Sequence, residues 1–377
     1  MFFNQTAIDV ARENGHFGIV GILTGTKLSS NDKPVEVIDL EKQNKQLTQQ
    51  ITALQKQNQL YLQYIKALQA KDRSPAIPLN EIKDEELVIG TGSSSIVKSA
   101  YKDFQVYYAK KEYKAYFDEK DHQRQKRQFQ RETEILKKLD HPCIIKMIGQ
   151  FPGDKKQPPF IYLQQGKITL EDAIKQNELS NLQKNMIIAE IVLGLRYIHS
   201  KATGKEIIHR DLRPSNIILD ENYHAYIADF DTAQYSDDEN PENVPFGYQE
   251  YHAPELFTST PPVYSEKTDI FAFGLLLVLI ISGEEYPFDP KDRVEGRILG
   301  FSEYILPWSK DLILRCLEYD PEYRPTFAEC FEIMKLYDHD FFGSTNPDDA
   351  PSIEKEEEIQ AVKNRILEIQ AIEFRPE

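Results

Sequence analysis

Ile207-Ile208-His209-Arg210-Asp211-Leu212-Arg213-Pro214-Ser215-Asn216-Ile217-Ile218-Leu219, followed by Ile227-Ala228-Asp229-Phe230-Asp231, is the stretch on which the reading of this chain turns. A carboxylate, Asp211, and an amide, Asn216, stand five residues apart on a loop, and a second carboxylate, Asp229, comes after a strand. Such a set supplies one general base and two oxygen ligands for Mg2+.

Upstream, Ile89-Gly90-Thr91-Gly92-Ser93-Ser94-Ser95-Ile96-Val97 lies between apolar, strand-type residues. Two glycines let a backbone come close to a phosphate. Taken alone, a Gly-x-Gly turn is most often only a turn. The chain continues in strand-like alternation instead of opening a helix, which excludes the dinucleotide fingerprint, and no Gly-Lys-Ser/Thr follows, which excludes a Walker A loop. Val106-Tyr107-Tyr108-Ala109-Lys110-Lys111 reads as the next strand. Side chains at i and i+2 share a face, so Ala109 and Lys111 point together and Lys110 points away. A small residue and a lysine beneath a glycine loop form a roof over a nucleotide and a cation for its phosphates. The long charged helix that follows carries Glu132 and ends at Asp140-His141-Pro142. Glu132 is expected to pair with Lys111; the competing reading is a solvated surface charge.

Downstream come His252-Ala253-Pro254-Glu255, Asp269-Ile270-Phe271-Ala272-Phe273-Gly274 and Asp320-Pro321-Glu322-Tyr323-Arg324-Pro325. With the loop and strand motifs already quoted, this ordered series resembles the eukaryotic protein kinase family from about 81 to 342. The resemblance implies an α+β, bilobal fold, with a small β-rich lobe over about 81–163 and a larger helical lobe over about 164–342. It implies ATP and Mg2+ as cofactors and a protein as substrate. Gly90, Thr91, Gly92, Ser93, Val97, Ala109, Leu163 and Gln165 would line the nucleotide, with Gln164 in the same hinge segment. Lys111 would contact the α/β-phosphates and pair with Glu132. Asp211 would orient the substrate hydroxyl and accept its proton, Arg213 would sit beside the transferred group, and Asn216 and Asp229 would hold Mg2+. Glu255 and Arg324 would form a buried structural ion pair.

The chain departs from that pattern in four places. Ser95 stands where the family has a third loop glycine, and Asp231 where it has glycine after Asp-Phe. A Cβ at 231 is expected to restrict the hinge on which Asp229 turns. Arg213 replaces the lysine usual in Ser/Thr kinases and Tyr248 replaces a threonine, a pair of changes expected to accommodate one another. Arg210 precedes the catalytic Asp, which in the family goes with control by loop phosphorylation. Thr232, Tyr235 and Ser236 are the candidate sites, and the acidic Asp237-Asp238-Glu239 is the alternative partner set. Retention of Lys111, Glu132, Asp211, Asn216 and Asp229 favours an active kinase, Ser/Thr-directed on the evidence of Pro214, over a pseudokinase scaffold. The Ala253-Pro254-Glu255 segment opposes a small-molecule kinase.

Outside this region, residues 1–27 resemble one ankyrin repeat, with Thr6-Ala7-Ile8-Asp9 and Gly15-His16, and would bind a protein partner. Residues 36–70 carry a heptad seam. Leu40, Leu47, Leu54, Tyr61 and Leu68 fall at d, with Val37, Asn44, Ile51, Asn58 and Ile65 at a. β-branched residues at a with Leu at d favour a parallel two-stranded coiled coil, and Asn at a fixes its register, so a homodimer is expected. A polar segment over 71–80 with two prolines reads as a linker. Over 350–374 an acidic amphipathic helix presents Ile359, Val362, Ile366 and Ile369 on one face, either to the main domain or to a partner.

Composition narrows the rest. Among 377 residues, 45 are basic and 61 acidic, a net charge of −16. That excess opposes nucleic acid and anionic membrane as partners. The longest apolar run, Ile270 to Ile281, falls short of the ~20 residues needed to cross a bilayer and reads as a buried core helix. No signal peptide is apparent, and Cys143, Cys316 and Cys330 show no close pairing in sequence, so a reducing, cytoplasmic location is expected.

Overall fold

The computed structural model describes residues 82–92, 95–102, 106–114, 119–154, 157–200, 204–238, 249–259, 261–283, 307–336 and 353–373. The expectations for 1–27, 36–70 and 71–80, and those for Ser93 and Tyr248, lie outside the described residues.

The first lobe is one antiparallel sheet of β1 (Lys83–Thr91), β2 (Ser95–Lys102), β3 (Val106–Tyr113), β4 (Met147–Phe151) and β5 (Phe160–Gln164), in the order β1-β2-β3-β5-β4. Aromatic and β-branched runs such as Val106-Tyr107-Tyr108 and Phe160-Ile161-Tyr162 suit a half-buried pleated surface. Register decides which side chains meet. Val97 lies opposite Lys111, and Ala109 lies between Ser99 and Leu163. Opposed residues share a face, as do alternate ones along a strand. Val97, Ala109, Lys111 and Leu163 therefore line one face. Lys110 takes the other, with Nζ 2.6 Å from Asp84 Oδ2 and 4.2 Å from the Phe160 ring centre. Helix α1 (Glu119–Lys138) sets Phe129, Glu132 and Leu136, at i, i+3 and i+7, toward the core.

The second lobe holds α2 (Leu170–Lys175), α3 (Asn181–His199), α4 (Glu255–Thr258), α5 (Glu266–Ser282), α6 (Pro307–Cys316), α7 (Phe327–Leu336) and α8 (Ile353–Glu373). Short strands run between them: β6 (Ile168–Thr169), β7 (Ile207–Ile208), β8 (Ile217–Leu219), β9 (Ala225–Ile227) and β10 (Gln234–Tyr235). They pair as β6-β8-β9 and β10-β7. Helix α5 is apolar on all sides and buried from Thr268 to Ile280, as a helix at the centre of a lobe must be. Ser265 and Thr268 form its capping box, and Gly283 closes it at φ 76°. Among the described residues no helix is long and apolar enough to cross a membrane.

Two features correct or complete the sequence reading. Cys316 and Cys330, without close pairing in the sequence, meet in space with Sγ atoms 3.9 Å apart between α6 and α7. Both are fully buried, and burial with the neighbouring thiol pushes Cys316 well above the ordinary range, so the pair fills core space. The 353–373 helix packs on α3, with Val362, Ile366 and Ile369 in the main core, which decides between the two alternatives left open for that apolar face.

Arg324 anchors the base of the second lobe. Its Nη1 and Nη2 donate to Glu255 Oε1 and Oε2 at 2.6 and 2.8 Å. The remaining N–H groups reach the carbonyls of Glu318, Lys267 and Tyr319 at 2.7, 2.9 and 3.0 Å. All five donors of the guanidinium are thus used, at 2% exposure. Arg324→Ala strands a carboxylate and three carbonyls, and is expected to lower unfolding free energy by about 3–5 kcal/mol in urea titration. Arg324→Lys recovers little of this, because an ammonium cannot match the fork.

Candidate active site

Lys111 on β3 and Glu132 on α1 are both buried, and Lys111 Nζ donates to Glu132 Oε1 and Oε2 at 2.9 and 3.0 Å. The surface-charge reading of Glu132 is thereby excluded. Tyr113, two residues beyond Lys111 on the same strand face, donates its hydroxyl to Glu132 Oε2. Lys111 Nζ also lies 2.6 Å from Asp229 Oδ1 and 3.8 Å from Asp231 Oδ2. Burial alone would lower the ammonium's pKa, but Asp229, Glu132 and Asp231 together hold it well above the usual lysine range. Burial raises Glu132 against the opposing pull of Lys111. Partial desolvation would raise half-buried Asp229, yet Lys111 holds it below the carboxylate range. The cation at 111 is therefore permanently charged.

The polar loop between β7 and β8 hangs from α5. Asp269 accepts the backbone N–H of His209 at 2.8 Å and that of Arg210 at 2.9 Å, with His199 Nε2 at 2.8 Å. These bonds fix Arg210 at φ 72°, a left-handed conformation rare for a bulky residue. Burial would raise Asp269, yet His199 and His209 hold it below the carboxylate range. His209 itself is buried, 3.0 Å from the Ala228 carbonyl and edge-on to Phe230. It thereby ties the loop to the segment that carries Asp229.

Asn216 closes a short turn, Pro214–Asn216, and its Nδ2 donates to the Asp211 carbonyl at 2.7 Å and to Asp211 Oδ2 at 2.9 Å. Arg213 Nε stands 3.5 Å from the same Oδ2. Because the amide nitrogen is committed to Asp211, the Asn216 oxygen is the atom offered to a cation. Asp229 adds a carboxylate at φ 64°. These hard oxygen donors fit Mg2+. Among the described residues no group of three or more His, Cys, Asp or Glu is placed to hold a metal. A nucleotide's phosphates ordinarily complete the shell of Mg2+ held by one or two carboxylates.

Gly90 faces Val97 across the β1–β2 turn, where the Gly92 N–H donates to the Ser95 carbonyl at 2.9 Å. Thr91 ends β1 and is exposed. At the far end of β5, Leu163 shares its sheet face with Ala109, and Gln165 Oε1 is buried without a partner among the described residues, an acceptor left for a ligand. The next residue, Gly166, runs so close to β8 that a Cβ would collide with Ile218 and lie 2.8 Å from the Leu219 carbonyl oxygen.

Sequence reasoning missed Tyr113, whose i+2 spacing from Lys111 was the available signal, and the anchoring role of Asp269, for which none was available. Arg210 makes interior contacts in the unphosphorylated chain. It is buried, donates to Gln234 Oε1 at 2.8 Å and lies 4.1 Å from the Tyr264 ring centre. The acidic residues beyond it are engaged too, Asp237 with Lys205 at 3.0 Å and Asp238 with Arg131 at 4.0 Å. Asp231 is not among the described residues with positive φ, so the backbone conformation it takes in this structure is open to any residue.

Comparison with known proteins places the same residues in context. The family model for the protein kinase domain matches residues 84–342. A Saccharomyces cerevisiae protein, fatty acyl-CoA synthetase and RNA processing-associated kinase 1, is 29% identical over 232 residues, covering 58% of this chain and 26% of its own. Human serine/threonine-protein kinase TNNI3K is 33% identical over 222 residues, 55% of this chain and 26% of its own. Human 3-phosphoinositide-dependent protein kinase 1 is 31% identical over 224 residues, 57% of this chain and 39% of its own. The similarity thus spans between a quarter and two-fifths of these relatives.

Proposed function

Because the chain belongs to the protein kinase family, we propose that it transfers the γ-phosphate of ATP to hydroxyl groups of protein substrates, Ser/Thr in preference to Tyr. The observation that carries this reading is the buried Lys111–Glu132 pair meeting Asp229, together with a loop that holds Asp211 against Asn216. The Ser/Thr preference rests on Pro214 and on the printed name of TNNI3K.

Phosphoryl transfer asks for positioning and charge neutralisation more than for covalent help. Lys111, fixed in charge and place, binds nucleotide phosphate. Gly90, Thr91 and Gly92 bring backbone N–H groups over it, while Val97, Ala109 and Leu163 give an apolar face to the base. Asp211 orients the substrate hydroxyl and takes its proton, and Arg213 places positive charge beside that carboxylate. Mg2+, when bound through Asp229 and Asn216, neutralises charge on the phosphate oxygens. We further assign self-association to residues 36–70, a protein-binding role to 1–27 and a cytoplasmic location, each from sequence alone.

The test is intact-mass measurement of the chain and of a basic protein substrate after incubation with Mg·ATP, with and without EDTA. Phosphate gained only without chelator supports the proposal, and mapping the modified residues reads the hydroxyl type. No gain on either protein overturns it in favour of a scaffold.

A further inference from the structure

We infer that Asp231 is a positioning residue that latches helix α1 to the segment after β9, so that Glu132 is held against Lys111. The inference rests on the kinase reading for its effect on transfer, though not for the latch itself. Asp231 Oδ2 accepts from Gln128 Nε2 at 2.8 Å. Gln128 lies four residues before Glu132, hence on the same helix face and about 6 Å along the axis. The helix is therefore pinned at two points of one face, to β3 through Glu132 and to the segment after β9 through Gln128. Core packing of Phe129 and Leu136 and the bond from Gln125 Nε2 to the Lys114 carbonyl at 2.8 Å hold the helix on the sheet, and the Gln128 bond sets its approach to the segment after β9.

The side chain of Asp231 is only 11% exposed, and its Oδ2 stands 3.8 Å from Lys111 Nζ, so the cation helps to compensate the desolvated carboxylate. Two more contacts repeat the pattern along α1, Arg131 with Asp238 at 4.0 Å and Lys138 with the Tyr235 hydroxyl at 2.9 Å. These join the same helix to the same segment farther out. They lie nearer solvent, at 22% and 43% side-chain exposure for the two cations, where such contacts contribute little. Asp231 carries the latch because it is the sheltered one. A glycine at 231, as the family pattern has it, offers α1 no side-chain acceptor.

The experiment compares Asp231→Ala, Asp231→Asn, Gln128→Ala and the Gln128→Ala/Asp231→Ala double variant. Hydrogen exchange of α1 amides and steady-state kinetics with ATP are read side by side. The carbonyl of Asn still accepts from Gln128, so Asp231→Asn is expected to keep wild-type protection of α1. Asp231→Ala and Gln128→Ala are expected to speed exchange in α1 and to lower kcat about tenfold with little change in KM for ATP. The double variant should be no worse than either single one, since both remove the same bond. Additive losses, a loss of α1 protection in Asp231→Asn equal to that in Asp231→Ala, or unchanged exchange in the Ala variants would each overturn the latch. If wild-type protein transfers no phosphate, the kinase reading fails, and the exchange arm still decides on the latch.

Discussion

Asp211→Asn is expected to reduce phosphate transfer by roughly 10^2–10^4-fold, the range over which a positioned general base contributes. The substitution changes little else. Asn keeps the shape of the side chain, and its carbonyl oxygen can take the bond from Asn216 Nδ2 now made at 2.9 Å. Lost are the negative charge and the capacity to accept a proton from the substrate hydroxyl. The residues proposed to bind nucleotide, Lys111, Val97, Ala109 and Leu163, lie on β2, β3 and β5 and are untouched. Nucleotide affinity measured by calorimetry should therefore match that of wild type, and kcat and kcat/KM should fall together, as when an interaction made only in the transition state is removed. A loss below about tenfold would show that Asp211 neither takes the proton nor fixes the hydroxyl.

The contrast with Lys111→Met sharpens the assignment. There the cation between Glu132, Asp229 and Asp231 disappears, leaving three carboxylates without their common partner. Breaking such a buried cluster is destabilising as well as inactivating, so Lys111→Met confounds the two effects that Asp211→Asn separates.

What was legible in the sequence follows from the range of the interactions. Within the loop from Ile207 to Asn216, the pairing of Asn216 with Asp211 could be read because it is local, reaching over five positions with Pro214 setting the turn between them. The face shared by Ala109 and Lys111 was equally plain, since a strand's period of two needs no tertiary information. Contacts across long separations were not legible. The Gln128–Asp231 bond spans 103 positions and the Asp269 anchor of the Arg210 backbone spans 59. Nothing in either local sequence marks them, because they depend on how α1 and α5 pack. The Arg210 side chain adds two more such contacts, donating to Gln234 and lying against the Tyr264 ring, neither of which its motif marks.

Removing residues 343–377 is expected to cost roughly 5 kcal/mol or more of stability, although the family match ends at residue 342. Val362 and Ile366 on α8 are 8% and 7% exposed and Ile369 is fully buried. At about 1.5–3 kcal/mol for each buried aliphatic side chain, these three alone reach the size of a typical domain's net stability. The helix also completes a polar site in the interior of the second lobe. Glu190 on α3 is wholly buried, and its carboxylate takes the Ala225 N–H at 2.7 Å, with His224 Nδ1 at 3.0 Å and Arg365 Nε at 3.2 Å. Arg365 is the permanent cation of that set, so its removal leaves a buried carboxylate facing a backbone N–H and a histidine. Ala225 opens β9, the strand that leads to Asp229, so the disturbance is passed toward the active site. Arg365→Met, which keeps the apolar stem and loses the charge, isolates this electrostatic part and should account for about 2–4 kcal/mol of the deficit. Urea titration of the truncated, Arg365→Met and full-length chains measures both quantities. Coincident midpoints for the truncated and full-length proteins would show that α8 merely rests on α3; the expected separation makes it part of the catalytic lobe's core.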